Sequence, residues 1–325
     1  MQRPLQQRPR GPASSWILTD GHAGNLRQAR ALAIALGRDA REWTLKPRPP
    51  WQWLAPRRLP GSTAAFGPEF NDALQSPPSL AIGCGRQAAL ATRLLRSRDT
   101  RTVQILDPRL APRHWDVVVV PEHDRLRGDN VIPLQGSLNP VDDLWLAAAR
   151  AAFPELGQLP RPHTALLLGG PSAHTRFDPD RVERCLQQLR DMLSAQGGSV
   201  LATPSRRTPQ AVIERMRTLL GPLPSLIWSG PGDGPNPYAG VLGWADRIVC
   251  SADSVNMLSE AAATNAPLYA LGVEQLSGRP RRFVETLQDS GRLRRFDDEL
   301  APYPVSPLRE TTRVAAEVAT RLKLG

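Results

Sequence analysis

The chain has 325 residues, 41% of them hydrophobic, and a formal net charge of +10. It is long enough for two domains of about 150 residues, each with its own core, and no run approaches the ~18 apolar residues that cross a bilayer as a helix. Cys84, Cys185 and Cys250 are odd in number and far apart, which excludes a disulfide framework and a cysteine-based zinc site, and the five histidines show no paired ligand spacing.

The cationic excess lies mainly before residue 161, with 21 basic against 14 acidic residues there and 20 against 17 afterwards. Only Lys46 and Lys323 are lysines, so arginine usage along the whole chain accounts for much of the charge. An anionic partner is suggested, either a nucleotide phosphate or an acidic lipid surface. Nucleic acid is disfavoured, because the arginines are dispersed and no nucleic-acid-reading motif is present. No metal and no cofactor are expected, and the chain reads as cytoplasmic, peripheral at most at the inner face of the membrane.

Residues 1–13 are basic and proline-rich and read as a disordered tail; the 7–15-residue apolar region of a secretory signal is absent from them. A strand is predicted over 15–19. It runs into Asp20-Gly21-His22-Ala23-Gly24-Asn25 and a helix over 26–36, where the two glycines permit close approach to a ligand and the helix N-terminus favours an anion or polar head. The full G-x-G-x-x-G fingerprint is lacking. Residues 46–61 hold five prolines, two tryptophans and four basic residues, and read as a long loop. Trp51 and Trp53 beside Arg57 and Arg58 describe either an apolar lip for an anionic membrane surface or tryptophans folded back on their own domain.

Strands over 80–82, 102–106 and 117–120 follow, rich in Val and Ile without strict alternation, as buried parallel strands are. A helix is predicted over 141–153. The proline-rich stretch 154–162 is the expected linker, giving a first domain over 14–160 and a second over 161–306, with a last helix over 307–325 packing back across both.

The second half restarts the pattern. A strand over 164–168 leads to Gly169-Gly170-Pro171-Ser172 and a long helix over 180–196. The strand over 199–202 leads to Ser205-Arg206-Arg207 and a helix over 209–220, and a third strand covers 226–228. The strand over 247–250, the turn 251–254 and the helix over 255–263 form a βαβ crossover with the strand over 268–271, whose turn sits at the carboxyl end of a parallel strand, where open α/β sheets bind ligands. There Ser251 and Ser254 offer hydroxyls, and Glu260 stands two turns into the helix. The same spacing equally describes a solvated glutamate and two capping serines.

Two such halves make an α/β protein of GT-B-like architecture, two Rossmann-like doubly wound domains facing a central cleft. The segment from Val249-Cys250-Ser251 through Ser259-Glu260 to Ala266-Pro267 resembles the donor-binding segment of MurG-type N-acetylglucosamine transferases, with about one extra residue in the turn. That resemblance implies that Glu260 binds nucleotide ribose. A longer resemblance, over about 16–300, is to the elongated-mitochondria family of mitochondrial fission proteins and its bacterial members. It rests on Trp16 to Gly21 with Gly24-Asn25, on Pro204 to Pro209, on Asn236-Pro237-Tyr238, and on Ala252-Asp253-Ser254-Val255 with Ser259-Glu260-Ala261. It implies a GT-B-like fold and leaves the activity open.

The expected function is that of a nucleotide-sugar-binding enzyme, most simply a glycosyltransferase. Gly170, Ser172, Ser205, Arg206, Arg207, Ser251, Ser254 and Glu260 would hold the donor, Gly21, Gly24 and Asn25 would form the acceptor-side loop, and Asp20 or His22 would be the general base. The alternatives are a nucleotide-sugar 2-epimerase and a non-catalytic scaffold for a protein or membrane partner. Asp253 is expected to cap the second-half helix, and there its charge would repel a pyrophosphate. Arg206 and Arg207 would either offset that repulsion by bidentate phosphate contact or serve in interdomain ion pairs.

Overall fold

A computed structural model describes residues 15–97, 99–172, 178–297 and 299–324. The expected N-terminal tail and His174 lie outside them. The chain divides into a first unit, 1–134 with 310–325, and a second, 135–309.

The first unit comprises β1 (Ser15–Thr19), α1 (Ala23–Ala35), β2 (Ala40–Thr44), the short α2 (Trp51–Leu54), α3 (Pro68–Ala73), β3 (Leu80–Cys84), α4 (Arg86–Leu95), β4 (Arg101–Ile105), β5 (Val117–Pro121) and β6 (Val131–Leu134). Its six strands are parallel in the order β2-β1-β3-β4-β5-β6. β1, β3 and β5 are buried along their whole length, as central parallel strands must be when helices cover both faces. β2 lies at an edge with three of its five residues exposed or nearly so, which is why AREWT carries no apolar run for the sequence to show. An aromatic group closes this end of the core: Trp16 and Trp43 lie 5.2 Å apart, and Phe70 meets Trp43 edge-on at 5.3 Å.

The second unit comprises α5 (Asp143–Ala152), β7 (His163–Leu168), α6 (Pro179–Gln196), β8 (Ser199–Pro204), α7 (Gln210–Leu220), β9 (Ser225–Ile227), α8 (Tyr238–Trp244), β10 (Arg247–Ser251), α9 (Val255–Ala262), β11 (Leu268–Leu271), α10 (Gly278–Asp289) and β12 (Arg294–Arg295). The parallel order is β12-β11-β10-β7-β8-β9, the doubly wound nucleotide-binding order. Alternate residues of each strand feed opposite cores. Ala165, Leu167, Ile248, Cys250, Leu268 and Ala270 pack with α8, α9 and α10, whereas Leu166, Leu168, Val249, Tyr269 and Leu271 pack with α6 and α7.

The last helix, α11 (Glu310–Leu322), belongs to the first unit and packs on α1, β5 and β6. The division falls after Leu134 rather than at the expected linker. Residues 154–162 instead form a 3-10 helix and turn tied into the second unit, with Leu156 fully buried and the Trp244 indole donating to the Phe153 carbonyl at 2.8 Å.

Residues 46–61 are a long connection, irregular apart from one helical turn, and are fastened to their own unit. They include α2, and the segment is pinned where Arg86 donates to the Gln52 carbonyl at 2.8 Å and Arg93 to the Pro56 carbonyl at 2.6 Å. Trp51 packs against Ala55, Ala65 and Leu90, while Trp53 is 65% exposed. The two tryptophans have different fates because residues two apart on a helical turn do not share one face.

The corner between α9 and β11 is fastened by Arg292. Its buried guanidinium donates to the carbonyls of Ala261, Ala262, Thr264 and Ala266 at 2.8–3.1 Å, satisfying the C-terminal carbonyls of α9 with a cation. Burial pulls its pKa down to about 10, so it stays charged at neutral pH. Replacing Arg292 by Met keeps the stem, removes a donor from all four carbonyls and leaves those of Thr264 and Ala266 without one, since Ala261 and Ala262 also accept from Thr264 and from the Leu308 amide. We expect Arg292→Met to lower the stability of the second unit by about 3 kcal/mol in urea unfolding; a loss below about 1 kcal/mol would contradict this role.

Candidate functional site

In each sheet the strand order reverses once, and the loops on either side of the reversal diverge at the carboxyl ends of the strands. In the second unit the reversal lies between β7 and β10, so the loop after β7 and the loop after β10 flank one crevice. They are joined across it: the Gly169 amide donates to Ser251 Oγ at 2.6 Å and the Gly170 amide to the Asp253 carboxylate at 3.0 Å. A side chain at Gly169 would place its Cβ 2.1 Å from Asp253 Oδ2, and one at Gly170 would stand 2.2 Å from the Arg207 carbonyl. The paired glycines are therefore required by packing inside the crevice before any ligand is considered.

Asp253 does not cap α9. Ser254 does, its Oγ accepting from the Met257 amide at 3.4 Å, because the Asp253 side chain is drawn back to Gly170 and to the Arg207 guanidinium at 2.7 Å. The carboxylate is 5% exposed and paired within its own unit. The repulsion expected of it toward a pyrophosphate is thereby largely neutralised.

Arg207 is committed to this pairing and to the Gly170 and Pro171 carbonyls at 2.9 and 3.0 Å. Ser205 is used within its own loop, its hydroxyl accepting from the Arg207 amide at 3.2 Å, and Thr208, which the sequence reading passed over, ties that loop to the Leu168 carbonyl at 3.0 Å. Arg206 is exposed and makes no ion pair or hydrogen bond among the described residues. Ser172 ends the described part of the β7 loop, half-buried.

Glu260 is 3% exposed and is not a solvated helix residue. Its carboxylate accepts from the Tyr238 hydroxyl at 2.5 Å, a partner from the start of α8 that spacing could not reveal. Burial pushes the neighbouring Cys250 thiol well up, with the Asp253 and Glu260 charges adding, so this cysteine is no nucleophile. A cavity of about 40 Å3 beneath the loops, bordered by Leu168, Cys185, Asp253 and Gln275, has room for about one water and not for a nucleotide.

In the first unit the reversal lies between β1 and β3. Asp20, at the end of β1, accepts from the His22 amide at 3.1 Å and from Asn25 Nδ2 at 3.0 and 3.2 Å, and its Oδ1 lies 3.0 Å from His22 Nδ1. The imidazole is 80% exposed. With Nδ1 held by the carboxylate, Nε2 is the nitrogen left to exchange a proton. Gly21 takes a left-handed φ of 81°, and Gly85, at the end of β3, would set a Cβ 2.8 Å from Asn25 Nδ2. Helix α1 begins at Ala23, so Gly24 lies in its first turn rather than in the loop, a difference that follows from the loop's closing onto Asp20 within three residues.

No helix among the described residues is long and apolar enough to cross a membrane. Among solved structures, UDP-GlcNAc 2-epimerase from Neisseria meningitidis bound to UDP-GlcNAc is similar with a TM-score of 0.51 at 10% identity, covering 94% of this chain and 99% of that one. UDP-GlcNAc 2-epimerase from Methanocaldococcus jannaschii, in complex with UDP-GlcNAc and UDP, is similar with a TM-score of 0.51 at 12% identity and the same coverage. At these identities the likeness is one of fold, which is α/β and GT-B-like.

Among curated sequences, the mitochondrial fission protein ELM1 of Arabidopsis thaliana is 31% identical over 277 residues, 76% of this chain, which spans 63% of that protein's length. The uncharacterised protein RP120 of Rickettsia prowazekii is 27% identical over 95% of this chain and 99% of its own. The profile of the mitochondrial fission ELM1 family matches residues 23–322, which include the β7 and β10 loops of the second unit, and the chain belongs to that family.

Proposed function

We propose that the chain binds a nucleoside diphosphate sugar at the β7–β10 crevice and transfers its sugar to an acceptor hydroxyl. The observation that carries the reading is the division of labour between adjacent arginines. Arg207 neutralises buried Asp253, and Arg206, exposed and without a partner among the described residues, is left beside the Gly169-Gly170 loop for a diphosphate. Supporting it, solved proteins of this fold carry UDP and UDP-GlcNAc in their structures.

In the transfer, the acceptor oxygen bonds to the anomeric carbon, the bond from that carbon to the diphosphate oxygen breaks, and the acceptor proton passes to His22 Nε2. Asp20 holds the imidazole tautomer that can receive it. The nucleoside diphosphate leaves with the electron pair.

Titration with UDP and UDP-GlcNAc tests binding. Arg206→Ser should weaken UDP at least tenfold, about 1.4 kcal/mol, with an unchanged melting temperature. His22→Ala should abolish release of UDP from the donor while leaving its affinity unaltered. Binding without turnover in the wild type, across a panel of acceptors, would favour a scaffold that uses the nucleotide as a ligand. Conversion of the sugar without any acceptor would favour the 2-epimerase reading.

Glu260 is proposed as the ribose ligand, exchanging the Tyr238 hydroxyl for ribose hydroxyls. Glu260→Gln should then cost UDP binding about 1.5–3 kcal/mol, whereas Tyr238→Phe, which removes the competing donor, should not weaken it. Equal UDP affinity in wild type and Glu260→Gln would remove Glu260 from the site and leave it as a packing residue of α8 and α9.

A second reading, of an anionic membrane surface reached through 46–61, is favoured by the exposure of Trp53 and Leu59 next to the exposed Arg57 and Arg58. Sedimentation with phosphatidylglycerol vesicles should exceed that with phosphatidylcholine and fall on Trp53→Ser. Equal sedimentation with both lipids would dispose of it.

A further inference from the structure

The first unit holds a second concave feature, on the sheet edge opposite the Asp20 loop. All six strands are parallel, so their carboxyl ends share one edge and their amino ends the other. A cavity of about 650 Å3 opens at the amino ends of β4, β5 and β6 beside the last turn of α11. That volume is within the ordinary range of small-molecule sites.

Its lining is cationic, with Arg96, Arg101, Arg113, Arg127, Arg321 and Lys323 set against two carboxylates, Asp116 and Asp129. Asp116 is already engaged, accepting from the Thr102 amide and hydroxyl at 2.8 and 2.9 Å and from Arg96 at 3.2 Å. Arg321 is held by the Asp129 carbonyl at 2.6 Å and by Glu317 at 2.5 Å. The side chains of Arg101, Arg113 and Lys323 make no hydrogen bond or ion pair among the described residues.

The wall is rigid. Trp115 is buried with its indole donating to Thr92 at 2.8 Å, and Asn130 bridges the Pro112 and Trp115 carbonyls at 2.9 Å each. Nearby His114 senses the same field: burial lowers its pKa, and Arg93, Arg113 and Arg96 push it further down. Six cations against two carboxylates on one wall leave an excess of positive charge that repels itself, and a bound polyanion relieves that repulsion. None of the exposed large hydrophobic residues, Ile34, Trp53, Leu59 and Leu144, lines the cavity, so insertion into hydrocarbon is not what this surface is built for.

We propose that this cavity binds a compact anion carrying two or more phosphate groups, at a site separate from the nucleotide-sugar crevice. The shared chemistry is clustered phosphate, and free oligophosphate and a phosphorylated lipid headgroup are its two sources. The guanidinium forks of Arg101 and Arg113 supply bidentate contacts and Lys323 a point charge.

The test is calorimetric titration of the whole chain with inorganic triphosphate at fixed ionic strength, using Arg101→Glu with Arg113→Glu and, on another element, Lys323→Glu. Triphosphate should bind the wild type below millimolar concentration, weaken as potassium chloride is raised, and lose at least tenfold in affinity in both variants. Arg206→Ser should leave it unchanged, which separates this site from the crevice of the second unit. In a Trp53→Ser background, phosphatidylinositol bisphosphate vesicles that sediment the protein and are displaced by triphosphate would identify the headgroup as the source; vesicles that fail to sediment it would identify the free anion. Absence of binding at millimolar triphosphate, or equal affinity in wild type and both charge-reversed proteins, would overturn the proposal.

Discussion

The carboxylate of Asp253 sets the geometry of the second unit's functional edge. It bridges the ends of two neighbouring strands that are far apart in sequence, taking the Gly170 amide from the β7 loop and the Arg207 guanidinium from the β8 loop while itself following β10. A buried carboxylate is tolerable only when paired and hydrogen-bonded, and here the partners come from the two other loops of the crevice. Much else follows from that requirement. Gly169 and Gly170 have no room for a Cβ, Arg207 is unavailable to a ligand, and Ser254 becomes the cap of α9. The first unit uses a related device on a smaller scale, in which Asp20 gathers His22 and Asn25 while Gly85 keeps the neighbouring strand end clear.

How much of this was legible in the sequence depends on whether a feature is local. Central strands were readable because burial on both faces demands continuous apolar residues, as in Val117–Pro121 and His163–Leu168. The edge strands β2 and β12 carry exposed charged residues and have a strand neighbour on one side only, so nothing in AREWT or Arg294-Arg295 marks them. Helix α8 was hidden by the glycines and prolines just before it, and α10 by its three arginines and its Gly and Pro in the first turn. The reversals of strand order, which locate both candidate sites, are properties of topology. They could be expected from the βα pattern but not assigned to β1 and β3 or to β7 and β10.

Side-chain partners were the least legible part. Glu260 stood out as a carboxylate two turns into a helix, yet its burial and its hydrogen bond to Tyr238 depend on how α8 lies against α9. Asp253 was read as a cap because capping is what an aspartate at that position does locally. The tertiary partners offered it more than the helix N-terminus could, since a charged partner adds to the hydrogen bond. Residues 46–61 were legible as a long loop from their prolines, but their anchoring was not, because the carbonyl groups freed by irregular backbone are taken up by Arg86 and Arg93 from another helix.

The arginine excess acquires meaning only after such uses are subtracted. Arg86, Arg93, Arg150 and Arg292 spend their guanidinium groups on backbone carbonyls, doing for turns and helix ends what secondary structure does elsewhere. Arg207 and Arg309 are held by carboxylates within the second unit. Net charge counts all of these alike, which is why a value of +10 points to no particular partner. Among the arginines without a partner in the described residues, Arg57, Arg58 and Arg109 lie on open surface, whereas Arg101 and Arg113 line a cavity and Arg206 follows the strand end beside the Gly169-Gly170 loop. A fold shared by 2-epimerases and a fission family does not by itself decide among activities. The narrower constraint is placement: Arg206 sits next to Arg207, whose guanidinium is spent on Asp253, and Arg101 and Arg113 share one cavity wall.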